Sequence, residues 1–200
     1  MTSTASQNAM RVRTPPEYFA RILGEASSLW DKLEADPVLA GPWRQLFSQV
    51  QSPRHVLSEL LQNADDAGAT TARVTISNGV FAFEHDGGDF TSDQFQSLCR
   101  FGFSNKRTLH TIGFRGIGFK ATFSLGGSVE VHTPTLAVRY DKKRFTQPIW
   151  IKDGVARQGT CIRVRIEDDH RERELRKNLQ EWVSSPASLL FFTNIRRLEI

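Results

Sequence analysis

The stretch TARVTISNGVFAFEHD, residues 71 to 86, leaves its chain little freedom. Asn78-Gly79 stands between two strand-like runs. A two-residue Asn-Gly loop favours the turn whose twist matches neighbouring antiparallel strands. The segments before this hairpin read as helices. After Pro15 and Pro16, residues Phe19, Ile22, Leu23, Ala26, Leu29, Trp30 and Leu33 fall at helical spacing, up to about Glu34. GPWRQLFSQVQ continues as a second helix. Ser52 and Pro53 supply an N-cap and a first-turn proline for a third, which Gly68 ends. Beyond the hairpin, Thr91 caps a short helix in TSDQFQSLCRF, and FKATFSL reads as a helical turn or two. Strands are expected at about 128 to 133, 135 to 140, 145 to 151 and 159 to 166. A helix follows at about 169 to 184, and a last strand begins near Asn194. Helices first, then antiparallel strands with helices inserted, indicate an α+β two-layer sandwich.

Composition bounds the class. With 200 residues and 39% hydrophobic content, the chain can bury one sizeable core. No apolar run approaches the roughly 20 residues of a membrane span. Residues 1 to 14, MTSTASQNAMRVRT, are polar, lack an apolar signal region and read as a disordered tail before a single domain spanning 15 to 200. Cys99 and Cys161 have no metal-ligand spacing and read as buried reduced thiols of a cytoplasmic protein. The net charge of +4 permits an acidic partner, nucleotide or nucleic acid, without requiring one. In DDHRERELRKNLQEW acids alternate with bases, as on a solvated helix face, so nucleic acid is not indicated. The strand-like close FFTNIRRLEI suggests the N-terminal part of a longer protein.

Three stretches raise chemical questions. On the helix LSELLQNADDAGAT, residues Glu59, Asn63 and Asp66 lie within roughly 60° of one another, at about 100° per residue. Val56, Leu57, Leu60, Leu61 and Ala64 form the adjoining apolar face. A solvated stripe usually mixes acids with Lys or Arg at i+4, and this one does not. It is either an unusual solvated face or one that meets a cation or ligand. In IGFRGIGFKATF, Gly113, Gly116 and Gly118 allow close backbone approach to a phosphate at a helix start, with Lys120 as a point charge; a plain tight turn reads equally well. Phe119 separates Gly118 from Lys120, so this is not a Walker A loop. In FEHDGGDFT, an acid at a strand end before glycines can accept from an adenine amino group, or can simply make an Asp-Gly turn. The Gly159-Thr160 pair entering a strand means little alone.

Taken in order, these features resemble one superfamily. The set Glu59, Asn63, Asp66, Ala67, then acid-glycine, then the glycine loop, then Gly-Thr is similar to gyrase B, the ninety-kilodalton heat-shock chaperone, histidine kinases and MutL. SELLQNADDAGAT, FGFSNKR, GFRGIGFKATF and SLLFFTNIRRLEI look most like its sacsin-like branch, over residues from about 50 to 200. The resemblance implies a Bergerat-type sandwich, a mixed, mostly antiparallel sheet covered on one face by helices, that binds ATP with Mg²⁺ and hydrolyses it. It implies Asn63 as the Mg²⁺ ligand and Glu59 as the residue that orients or deprotonates the attacking water. Asp66 would lie toward the ribose or base, and Ala67 would be small where the purine passes. Gly113, Arg115, Gly116, Ile117, Gly118 and Phe119 would form the phosphate loop, with Lys120 and Lys106 neutralising charge. Gly88 and Phe90 would follow the base-reading residue, and Thr160 would supply a hydroxyl beside it.

This chain departs from the pattern twice. His85 stands where the family's adenine-reading Asp belongs, with Asp86 one place along, and both remain candidates; a one-residue shift reverses the side of the strand. The segment from Ser104 to Thr111 is also shorter than the chaperone's lid. The resulting expectation is a slow ATPase that drives conformational change in a larger protein with C-terminal effector domains or a protein client. The alternative is an interaction module that senses nucleotide without hydrolysing it. The resemblance also admits an ATP-driven dimer.

Overall fold

The computed structural model describes residues 11–12, 14–49, 53–100 and 118–200. Helices α1 (Glu17–Ala35), α2 (Pro37–Gln49) and α3 (Pro53–Asp66) precede the hairpin of β2 (Thr71–Ser77) and β3 (Val80–His85), while β1 is the short strand Arg11–Val12. Helix α4 (Ser92–Leu98) and a 3-10 segment (Gly118–Ser124) lead to β4 (Ser128–His132), β5 (Ala137–Asp141), β6 (Ile149–Trp150), β7 (Gly154–Val155) and β8 (Thr160–Arg165). Helix α5 (Asp169–Ser184), a 3-10 turn (Pro186–Phe191) and β9 (Arg197–Glu199) complete the described chain. The main sheet has the order β6-β5-β4-β8-β3-β2-β9. Its pairs are antiparallel except β2 with β9, which is parallel. The α+β reading therefore holds.

Strand alternation explains the layering. Val74 pairs with Phe83, Phe83 with Ile162 and Ile162 with Val131, so one face presents a continuous apolar row. That row joins Phe19, Ile22, Trp30, Val56, Leu57, Leu60, Leu61, Phe95 and Leu175 in one buried cluster, which places the helices on this face. The indole of Trp30 donates to Thr146 Oγ1 at 2.7 Å and meets Phe145 edge-on, fixing α1 to the turn before β6. On the other face Arg73, Thr75, Arg163 and Arg139 are exposed.

Local signals account for most boundaries. Asn78 and Gly79 have φ of 52° and 69°, as the hairpin turn demands. Gly68, at φ 73°, closes α3: its N–H donates to the Asp65 carbonyl, and the N–H of Ala69 to that of Ala64. Thr91 and Gln94 form a reciprocal capping box on α4. Helix α2 begins earlier than GPWRQLFSQVQ suggests and contains Pro42. Asp36 Oδ1 accepts from the N–H of Val38, so Asp36-Pro37 act as cap and first residue. The strand expected at 145 to 151 is only Ile149–Trp150, because Lys142–Arg144 turn as a 3-10 helix and Phe145 and Thr146 face inward. Arg11–Val12, expected in the tail, pair with Gly154–Val155, so the tail's described end is a strand. Cys99 and Cys161 are buried free thiols. No described helix is long and apolar enough to cross a membrane.

Candidate functional site

Helix α3 stands at the centre of the site because its two stripes have opposite fates. Val56, Leu57, Leu60, Leu61 and Ala64 are at most 1% exposed. Glu59 and Asn63, on the adjoining stripe, are half-buried, and Asp66 ends the helix exposed. The helix packs against the 3-10 segment that begins at Gly118, so the end of the glycine stretch lies alongside it. Gly113, Arg115, Gly116, Ile117 and Lys106 lie outside the described residues.

The C-terminal end of α3 meets the end of β3. The Ala67 carbonyl accepts from the N–H of Gly88 at 2.9 Å. A Cβ at Gly87 would stand 2.9 Å from that carbonyl and 3.0 Å from His85 Nδ1, so only a glycine fits without a shift. Across the sheet His85 pairs with Thr160. A Cβ on the preceding residue, Gly159, would lie 2.1 Å from the His85 carbonyl oxygen, so the strands approach there at a distance that excludes a side chain. Ala67, His85, Gly87, Gly88, Gly159 and Thr160 thus converge. The Thr160 hydroxyl is buried and has no hydrogen-bond partner among the described residues. A buried hydroxyl without a partner is costly unless something else supplies one. Phe90 follows this loop half-buried against the core, and the Asp89 carboxylate accepts from Thr135 N–H and Oγ1.

His85 and Asp86 are now separable. Alternation along β3 puts His85 on the helix-covered face with Phe81 and Phe83, between Ala72 and Thr160. Burial pushes its imidazole down to about 4, against a weaker opposing pull from Asp86, so it is neutral at pH 7. Asp86 points elsewhere. Its Oδ1 accepts from the N–H groups of Thr70 and Thr71 at 2.8 and 2.9 Å, and its Oδ2 from Thr70 Oγ1 at 2.7 Å. Burial alone would raise this carboxyl, but those donors hold it below its ordinary value. Asp86 therefore secures the turn from α3 into β2, which corrects its expected place at the base.

The side chains of Phe119 and Lys120 turn inward. Phe119 is in the core, edge-on to Tyr140 at 5.5 Å. The Lys120 side chain is 1% exposed, donates to the Leu98 carbonyl at 2.6 Å and lies over both rings, 5.0 and 5.3 Å from their centroids. Desolvation lowers its ammonium to about 7, partly opposed by nearby Cys99. Burial likewise raises the Cys99 thiol to about 11. In this arrangement the cation belongs to the interior, where its alkyl stem and cation–π contacts are satisfied.

Sequence reasoning passed over Asp65, whose carboxylate accepts from the N–H groups of Thr193, Asn194 and Ile195 at 3.0, 2.6 and 3.0 Å. Burial opposes its ionisation, but those three donors prevail and lower its pKa. It ties α3 to the turn before β9. Nothing in the sequence distinguishes it from Asp66 except the phase of the helix. On α5, Arg171 pairs with Glu167 and Asp168, and Arg176 with Glu172, so those bases are matched by local acids.

A helix-covered, mostly antiparallel sheet, with an acid-carboxamide stripe running toward His85 and Thr160 at the strand ends, is the frame of a nucleotide-binding domain. The chain belongs to the histidine kinase-, DNA gyrase B- and HSP90-like ATPase family, whose profile matches residues 49–170. It is 32% identical over 132 residues to the DNA mismatch repair protein MutL of Methanothrix thermoacetophila, a match covering 58% of this chain and 23% of that protein. With MutL of Chlorobium chlorochromatii it shares 32% over 131 residues, 58% of this chain and 20% of the relative. With Protein NO VEIN of Arabidopsis thaliana it shares 30% over 105 residues, 49% of this chain and 4% of the relative. The chain thus matches less than a quarter of each relative's length. Family membership makes this an ATP-binding domain.

Proposed function

We propose that the domain binds Mg²⁺-ATP along the polar stripe of α3 and hydrolyses it slowly, as the nucleotide-driven module of a larger, sacsin-like protein. The observation that carries the reading is the placement of Glu59 and Asn63, half-buried on one stripe whose C-terminal end docks against Gly87 and Gly88. The donor set fits the metal. Asn63 offers a hard carboxamide oxygen, and no group of three or more His, Cys, Asp or Glu converges among the described residues. Phosphate and water would then supply the remaining ligands, as Mg²⁺ prefers, and the ion would neutralise phosphate charge.

Each residue has a separate task. Asn63 holds the metal. Glu59, one turn earlier, orients the attacking water or takes its proton, and a carboxylate there favours hydrolysis over simple sensing. Asp66 and Ala67 border the ribose and base, and Thr160 and His85 face the base edge. Gly113, Gly116 and Gly118 cradle the phosphates, with Arg115 and Lys106 as charge partners. In the relatives the matching region is a small part of a longer chain, which supports a module that transmits conformational change to effector domains, a client or a dimer partner. A completing cation from such a neighbour can be worth about 10³ in rate in phosphoryl transfer, so the isolated domain is expected to turn over slowly and bind with Kd on the order of tens to hundreds of micromolar.

Isothermal titration with and without Mg²⁺ tests the division of roles. Glu59→Ala should keep ATP affinity within a few-fold while most hydrolysis is lost, and Asn63→Ala should weaken the Mg²⁺-dependent part of binding itself. Equal loss of binding in both variants would refute it.

A further inference from the structure

The base end of the site carries a specificity that rests on the reading of Ala67, His85, Gly87 and Thr160 as the purine subsite. The N–H of Gly87 donates to His85 Nδ1 at 3.1 Å. A backbone N–H can only donate, so Nδ1 keeps its lone pair for that bond and the ring proton lies on Nε2. The loop holds this tautomer in place. Gly88 is tied to the Ala67 carbonyl, and the position of a Gly87 Cβ would be only 3.0 Å from Nδ1. Toward a ligand, His85 is therefore a donor.

The carboxylate next along the chain, Asp86, restores no acceptor there. Both oxygens of Asp86 are engaged by Thr70 and Thr71. Across the strand pair from His85 stands Thr160, 2% exposed, whose hydroxyl lacks a partner among the described residues and can either donate or accept. Among the described residues, His85 and Thr160 thus present one donor and one group of either sense. Adenine offers a ring-nitrogen acceptor beside an amino donor. A 6-oxo purine offers a carbonyl acceptor beside a ring N–H donor. Both edges can satisfy the same pair, with a displacement of about one atom. An acceptor-only carboxylate at position 85 would instead face the lone pairs of the 6-oxo group, and an unpaired buried polar group is what produces strong discrimination.

We propose that His85 makes the base subsite tolerant of a 6-oxo purine, so that this domain binds inosine triphosphate about as well as ATP. The test is equilibrium binding of ATP and ITP to the 200-residue chain by calorimetry with Mg²⁺, for the wild type and for His85→Asp. ITP isolates the 6-position, because it lacks the extra amino group of GTP. The wild type should bind ATP and ITP within about 3-fold of each other, and His85→Asp should weaken ITP relative to ATP by about 10-fold or more. The wild-type comparison stands by itself if the variant fails to fold. ATP binding with ITP at least 10-fold weaker in the wild type would overturn this inference alone. An unchanged ratio in a folded His85→Asp would overturn it too. Binding of no nucleotide at all would overturn the proposed function and this inference with it.

Discussion

Replacing Asp65 by Ala should unfold the junction between α3 and β9 at a cost that its partners allow to be worked out. Its carboxylate accepts from three consecutive backbone N–H groups, of Thr193, Asn194 and Ile195. These do not weigh equally. Thr193 is exposed and can regain water, Asn194 is half-buried, and Ile195 is 1% exposed, so its N–H is left with no ready solvent partner. An orphaned buried donor costs about 1 to 3 kcal/mol, and bonds to a charged acceptor lie toward the upper end. One full loss and one partial loss give about 2 to 4 kcal/mol. Asp65→Asn retains one acceptor oxygen and should lose about half as much. Urea denaturation followed by far-ultraviolet circular dichroism would read this as a lower midpoint at unchanged slope. The pH dependence has a definite sign. The folded carboxyl is depressed, so its contribution is complete above the unfolded value of 3.8 and disappears as pH falls through the folded value. Wild type should therefore lose part of its advantage over Asp65→Ala in acid. A loss below about 0.5 kcal/mol at neutral pH would refute the anchoring role.

Three further outcomes follow from the same geometry. Gly159→Ala places a Cβ 2.1 Å from the His85 carbonyl and should destabilise by more than about 2 kcal/mol, whereas Gly24→Ala, exposed on α1 with nothing within 4 Å, should stabilise by about 0.5 to 1 kcal/mol; equal midpoints would contradict the close approach. His85, depressed from 6.5 to about 4, makes stability fall as pH drops from 6.5 toward 4, by up to about 3 kcal/mol, because the unfolded chain takes the proton first; an identical acid limb in His85→Gln would remove this cause. Lys120, lowered from 10.5 to about 7, makes wild-type stability rise between those pH values, so Lys120→Met should be more stable at pH 7 by about 1 to 3 kcal/mol after allowing for its lost contacts, with ATP affinity unchanged; weakened ATP binding would return Lys120 to the phosphates.

What was legible in the sequence is what local chemistry decides. Asn78-Gly79, Gly68 and Thr91 carry their turn and caps within a few residues, so hairpin and helix ends could be read directly. The apolar stripe of α3 was equally clear, because burial follows helical phase. Tertiary partners were not legible. Asp65 and Asp66 are adjacent identical residues, and only the turn at 193 to 195 makes one of them an anchor. Whether His85 or Asp86 shares the helix-covered face depended on strand phase, which the cross-strand register with Ala72 and Thr160 fixes. Lys120 has the sequence context of a phosphate ligand, yet its four-carbon stem also reaches inward, and there it meets the Leu98 carbonyl.

The most direct measurement of the central claim is a titration of the isotope-labelled 200-residue chain with Mg²⁺-ATP, followed residue by residue in amide nuclear magnetic resonance spectra. The account predicts saturable shifts concentrated at Asn63, Ala67, Gly87, Gly88 and Thr160, with little change on the exposed strand face of Arg73, Thr75 and Arg163. Saturable binding with shifts confined to that opposite face, or to α5, would contradict the placement of the nucleotide along α3.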